Sequence, residues 1–163
     1  MKTLAKELML YRQYHTQKIT KITHFIGVPC LIFALMIFTG WIHIAVPRIL
    51  DISLVWPLLI ALLIHYYRLD VLLAAGLTVI LILMTVLSQF ISQPEINWAG
   101  FFVFLFFFII GISLQLIGHY YERKKPALID NFSQILIAPM FLFAELMFAI
   151  GYRQDLQEEM KKH

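Results

Sequence analysis

Charge is what this chain has least of. Asp, Glu, Lys and Arg together make up 14% of its 163 residues, against 61% hydrophobic, where a soluble domain is close to a quarter charged. So few charges cannot cover a water-facing surface, which excludes an ordinary soluble domain. Cysteine is nearly missing too. The single Cys30 sits inside an apolar run, and this excludes a disulfide framework or a cysteine-rich metal site. The net charge of +3 is modest, and the basic residues stand at the ends of apolar segments rather than in a stripe. They bear on membrane topology, not on nucleic-acid binding. No leader peptide is expected, because the basic N-terminal segment runs to Lys21 without a small-residue cleavage site.

What the chain has in quantity is long apolar sequence. A helix that crosses a bilayer core needs about 20 such residues, and four segments qualify: about 22–46, 52–67, 71–91 and 98–121. Pro29 interrupts the first near its start and Pro47 ends it. Residues 3–15 repeat Leu4, Leu8, Tyr11 and His15 at steps of four, three and four, the pattern of an amphipathic helix. A further apolar stretch, about 128–150, carries Asp130, Asn131, Gln134, Pro139 and Glu145. On a helix Asp130, Gln134, Ala138, Phe141 and Glu145 share one face. A carboxylate there is costly unless it is paired or faces a cavity. This segment reads as a helix interrupted near Pro139, re-entrant or packed across the bundle, with a fifth span as the competitor. The expected fold is a single all-α integral membrane domain over 1–163. It has about four transmembrane helices, an N-terminal amphipathic helix and a C-terminal re-entrant or fifth apolar helix.

The distribution of basic residues orients it. Lys2, Lys6, Arg12, Lys18 and Lys21 precede the first span, Arg68 lies between the second and third, and Arg123, Lys124 and Lys125 follow the fourth. Both termini are therefore expected in the cytoplasm of a multi-pass protein, in a bacterial inner membrane or the endoplasmic reticulum according to source. On that map His15, His24, His65 and His119 all fall at cytoplasmic ends of spans. His43 lies at the opposite end, where it reads as an interface residue.

The stretch "YRQYHTQKITKITHFIGVP" sets His15 and His24 nine residues apart. Nine residues turn a helix through about 900°, which leaves the two rings on opposite sides of a continuous helix. They can share a ligand only if the chain turns between them. Thr16 and Thr20 are candidate caps for such a turn. In "QLIGHYYERKKP", Gln115, His119 and Glu122 follow at four and three and project from one face. His and Glu at that spacing form a pair familiar from iron sites in helical bundles.

These residues resemble a family. "YHTQKITKITHFIGVP", and about a hundred residues later "QLIGHYYERKKPALIDNFSQILIAPMFLFAE", are similar to a family of small integral-membrane proteins formerly described as a domain of unknown function. That family contains the endoplasmic-reticulum Fe(II)-dependent 2-hydroxy fatty acid dioxygenase of fatty acid α-oxidation. The resemblance covers essentially the whole chain. Its specific part is the ordered set Gly118, His119, Glu122, Pro126, Ala127, Leu128, Asp130, Asn131, Gln134, Ala138, Pro139 and Glu145. Thr20 stands where the family often carries an asparagine. The resemblance implies Fe(II) as cofactor, with O₂ and a long-chain 2-hydroxy fatty acid as substrates. It implies His15, His24 and His119 as metal ligands, with Glu122 and His65 as further candidates and Glu122 in the catalytic set. Gln115, Asp130, Asn131, Gln134, Glu145, Lys21 and Arg123 would then orient the imidazoles or meet the substrate head group.

Two other readings compete. A di-iron lipid hydroxylase would use histidine boxes, but no two histidines here are closer than nine residues. A non-catalytic scaffold or small lipid carrier would use the same polar positions without a metal. No nucleic-acid partner is expected.

Overall fold

The computed structural model describes residues 2–14, 17–46, 50–92, 95–122 and 132–161. Helix α1 (Lys2–Tyr14) leads, after a break, into α2 (Lys18–Gly40). A hairpin of β1 (His43–Val46) and β2 (Leu50–Ser53) connects α2 to α3 (Val55–Leu69). Then come α4 (Val71–Ser92), α5 (Trp98–Glu122), α6 (Phe132–Ala149) and α7 (Gln154–Lys161).

Helices α2, α4 and α5 have 23, 22 and 25 residues and are long and apolar enough to cross a membrane; at about 1.5 Å per residue each exceeds the bilayer core. The apolar α3 is shorter, at 15 residues. The chain is an all-α, multi-pass membrane protein. Its spans alternate in direction. The start of α2, the end of α3, the start of α4 and the end of α5 therefore meet at one end of the bundle. The first and last spans are neighbours, since α2 makes its most extensive contact with α5. The opposite side of α5 faces outward: Phe102 and Phe106 are exposed, as a lipid-facing surface requires.

The first apolar segment does not stay helical to Val46. Helix α2 stops at Gly40, and His43–Val46 pairs antiparallel with Leu50–Ser53, from His43↔Ser53 to Val46↔Leu50. Isoleucine and valine are β-branched and suit a strand. At this far end the Gln89 amide donates to Ser53 Oγ at 3.2 Å and Ser53 donates to the Gly40 carbonyl at 3.1 Å, so buried polar groups are satisfied.

Asp70 alone joins α3 to α4. Its Oδ1 accepts the N–H groups of Leu72 at 3.1 Å and Leu73 at 2.9 Å, capping α4. Arg153 then reaches both carboxylate oxygens of Asp70 at 2.8 Å. One turn earlier, the Tyr66 hydroxyl donates to the Leu136 carbonyl at 2.8 Å. Pro139 lies inside α6 and has no N–H to give the carbonyl of Ile135. The next carbonyl along, that of Leu136, is the one Tyr66 binds. Helix α6 thus begins beside the end of α3, and the chain just after it returns to the same corner. α6 packs against α1, α2 and α4. A bend of 116° separates it from α7.

The apolar stripe of α1 is buried as its periodicity requires. Leu4 and Leu8 are fully buried and Tyr11 nearly so, packed with Met140, Phe141, Ala144, Leu156 and Met160 from α6 and α7. The two ends of the chain therefore form one cap over the bundle.

Candidate functional site

Where α2 meets α5, small residues let the backbones approach. A Cβ built on Gly118 would lie 2.6 Å from Thr23 Oγ1 and 2.8–2.9 Å from atoms of the His24 ring. Only glycine leaves room for that ring. His24, 3% exposed, then meets His119 edge-on, with ring centroids 5.1 Å apart and planes at 84°. Its Nδ1 lies 2.9 Å from the Thr20 carbonyl. A carbonyl only accepts, so Nδ1 carries the proton in this contact, which leaves Nε2 as the ring nitrogen that could donate to a metal. The Thr23 hydroxyl donates to the same carbonyl at 3.0 Å.

Glu122 lies one turn beyond His119 and is buried. Its Oε2 accepts the Thr20 hydroxyl at 2.8 Å and the Gln17 N–H at 3.1 Å. Gln17 is the N-cap of α2 and makes no side-chain cap of its own. A carboxylate from α5 therefore caps α2, at the positive end of its dipole. The spacing argument for a turn between His15 and His24 is met: α1 ends at Tyr14 and α2 begins at Lys18. Thr20 lies inside α2 and ties the two helices together rather than capping one.

Beside the imidazole pair is a small chamber of about 20 Å³, lined by Tyr11, Lys21, His24, Phe25, Phe141, Leu142 and Glu145, room for about one water. Tyr11 and Phe141 pack with ring centroids 4.6 Å apart and planes tilted at 40°. Burial pushes the Tyr11 phenol above its usual range, so it stays protonated. Glu145 Oε1 is shielded from solvent and has no hydrogen-bond partner among the described residues. A buried carboxylate oxygen of this kind calls for a donor. Next to the chamber runs a larger apolar cleft of about 180 Å³ between α2, α4 and α6.

The expected site residues divide. His24, His119 and Glu122 come together. Lys21 and Glu145 line the chamber. Gln115 stands on α5 against α2, with its Nε2 3.4 Å from a Cβ built on Gly27. His65 lies on α3, half-buried against Tyr66, and does not line the chamber. His15, Arg123, Asp130 and Asn131, and the side chain of Gln134, lie outside the described residues. Among the described residues, no three His, Cys, Asp or Glu side chains are grouped to hold a metal. The pair supplies two imidazoles. Thr23 is the contributor that the sequence did not single out; Thr20 was expected as a cap and instead bonds Glu122 across the helix pair.

Fold and site define a multi-pass helical membrane protein with paired histidines at one end of its bundle. The family model described as "2-hydroxy-palmitic acid dioxygenase Mpo1-like" matches residues 1–150, and the chain belongs to that family. The 2-hydroxy-palmitic acid dioxygenase MPO1 of Saccharomyces cerevisiae is 27% identical over 161 residues, which cover 97% of this chain and 87% of that protein. No solved structure matches.

Proposed function

We propose that this chain is an Fe(II)-dependent dioxygenase that converts long-chain 2-hydroxy fatty acids to fatty acids one carbon shorter. The observation that carries the proposal is the edge-on pair His24–His119 at 5.1 Å, beside a chamber that contains Lys21 and Glu145. The activity named for the yeast relative supports the substrate class.

The donor chemistry fits ferrous iron. Neutral imidazoles are suitable ligands, and the Thr20 carbonyl fixes the His24 tautomer with Nε2 as the donor atom. His24 and His119 would hold the metal, with His15 as a third ligand. Gln17, two residues after His15, is bonded to Glu122, three residues after His119. Glu122 is engaged as the cap of α2, which makes it a positioning residue. When bound, the iron supplies a site for O₂ and a chelation point for the hydroxyl and carboxylate oxygens of the substrate.

The remaining work falls to this chain's own side chains. The Lys21 ammonium pairs with the substrate carboxylate, and Glu145 Oε1 accepts a hydrogen bond from the 2-hydroxyl. The protonated Tyr11 phenol is a further donor. Phe25, Phe141 and Leu142 exclude water, which strengthens each polar contact. The overall reaction balances with O₂ as the only oxidant: the 2-hydroxy acid and O₂ give the shortened acid, CO₂ and water. The C1–C2 bond breaks, C2 is oxidised to a carboxyl, and O₂ is reduced. Lys18, Lys21 and Arg68 at this end of the bundle favour a cytoplasmic site with both termini in the cytoplasm.

The test is anaerobic purification under reducing conditions, metal analysis, and turnover of 2-hydroxypalmitate followed by mass spectrometry. Iron and an acid one carbon shorter are expected from the parent. Both are expected to be lost in His24→Ala and His119→Ala. A His119→Ala protein that turns over as fast as the parent would refute the assignment.

A further inference from the structure

The apolar cleft has its own architecture. It runs from Phe25 past Pro29 on one wall, with Met84 on α4 and Pro139 and Phe143 on α6 along the others. None of its lining side chains is polar. Phe25 and Leu142 border both this cleft and the small chamber beside His24, so the two spaces share a wall. Each proline removes an intrahelical hydrogen bond where the helices would otherwise close together. On α4 the lining positions extend from Leu77 to Met84, about 10 Å along the helix axis, leading away from the histidines. Phe143 is seated directly over Gly76, where a built Cβ would come 2.5–2.9 Å from its ring carbons. The Phe143 wall is therefore fixed by a glycine, and Met84 stands at the deep end.

We propose that this cleft receives the acyl chain of the 2-hydroxy fatty acid whose head group is held at the histidine pair, and that Met84 and Phe143 select its length. The inference rests on the proposed function and adds to it the residues that measure the substrate. The occupant follows from adjacency: the wholly apolar slot lies one shared wall, Phe25 and Leu142, from the space that His24, Lys21 and Glu145 line, which suits an acyl chain whose polar groups at C1 and C2 lie toward the histidines. Burial along the slot contributes to binding with each added methylene until the chain meets Met84. Gly76 acts through Phe143 and is a positioning residue.

The experiment uses full-length protein in nanodiscs, with and without Fe(II). Turnover is measured on 2-hydroxy acids from short to very long chains for the parent, Met84→Trp, Met84→Ala and Gly76→Ala. Met84→Trp is expected to lower kcat/KM for long chains by about tenfold, about 1.4 kcal/mol, and to leave the shortest chains close to the parent. Met84→Ala is expected to move the optimum to longer chains, and Gly76→Ala to change the length profile while iron content stays unchanged. Separately, an iron-free parent is photolabelled with a 2-hydroxy acid bearing a terminal diazirine. Label is expected on peptides containing Met84 or Phe143, displaced by excess unlabelled 2-hydroxy acid. Length profiles that scale uniformly in all variants overturn the proposal, as does label that persists under competition, the mark of a bilayer lipid in the cleft. A parent that turns over no 2-hydroxy acid refutes the reaction instead, and the photolabel then decides the cleft on its own.

Discussion

Arg153 holds a left-handed backbone, with φ at 59°, which costs an L-residue about 1–2 kcal/mol. The offsetting interaction is the pair with Asp70, made at 2.8 Å to both oxygens with side chains only 10% and 6% exposed. Burial alone would pull the guanidinium down, but hydrogen bonds and charge from Asp70 and Asp155 hold it above its ordinary range. It therefore stays charged at any working pH. Arg153→Ala removes the pair, keeps the strain and leaves Asp70 buried without its cation, for an expected loss of about 3–5 kcal/mol. Arg153→Gly loses the same pair but relieves about 1–2 kcal/mol of strain, against about 0.4–1 kcal/mol of added unfolded-chain entropy. Glycine should therefore be the milder change by roughly half to one kcal/mol, the reverse of the order inside a helix. Asp70→Asn keeps an oxygen to cap α4 and should fall between the parent and Arg153→Ala. Equilibrium unfolding in mixed micelles, followed by far-UV circular dichroism, measures all three. An Arg153→Gly protein no more stable than Arg153→Ala would refute the reasoning about strain. Variants as stable as the parent would refute the pair.

Three further outcomes are expected. Gly118→Ala places a Cβ against Thr23 and the His24 ring, so iron content and turnover should drop about 10–100-fold with helical content retained, checked by metal analysis and circular dichroism. Thr20→Val removes the hydroxyl that Glu122 accepts; a thermal melt in detergent should show a loss of about 1–3 kcal/mol, and Thr20→Ser should restore most of it. Tyr66→Phe removes the bond to the Leu136 carbonyl, an expected loss of about 1 kcal/mol that loosens α6, visible as faster hydrogen exchange in that helix.

The features legible in the sequence were the periodic and local ones. Leu4, Leu8 and Tyr11 announced a buried stripe because a helix repeats its faces, and the nine-residue gap from His15 to His24 announced a break in the helix. The length of α2 was misjudged because an apolar run is equally suited to a membrane helix and to a short strand; nothing in Ile42–Val46 distinguishes them by hydropathy. The continuity of α6 through Pro139 was hidden as well, because tertiary partners sustain a helix that propensity would interrupt. Most of the site was illegible for a different reason. The bond from Thr20 to Glu122 spans 102 positions and that from Arg153 to Asp70 spans 83. Local patterning carries no information about such pairs. The convergence of His24 and His119 was accessible only because membrane depth supplies a coordinate that soluble proteins lack.

The seam between α2 and α5 also sets a schedule for biogenesis. Its first wall leaves the ribosome before α3 and α4, and its second follows them. Gly118, Glu122 and His119 must all arrive before Thr20 and His24 acquire their partners. A nascent chain halted before α5 would carry His24 without His119 and leave the α2 N-terminus uncapped by Glu122. α1, synthesised before both, must wait for α6 and α7 to cover its apolar stripe. The protein therefore closes its site by joining a helix made early to one made late, a check on assembly that precedes any chemistry.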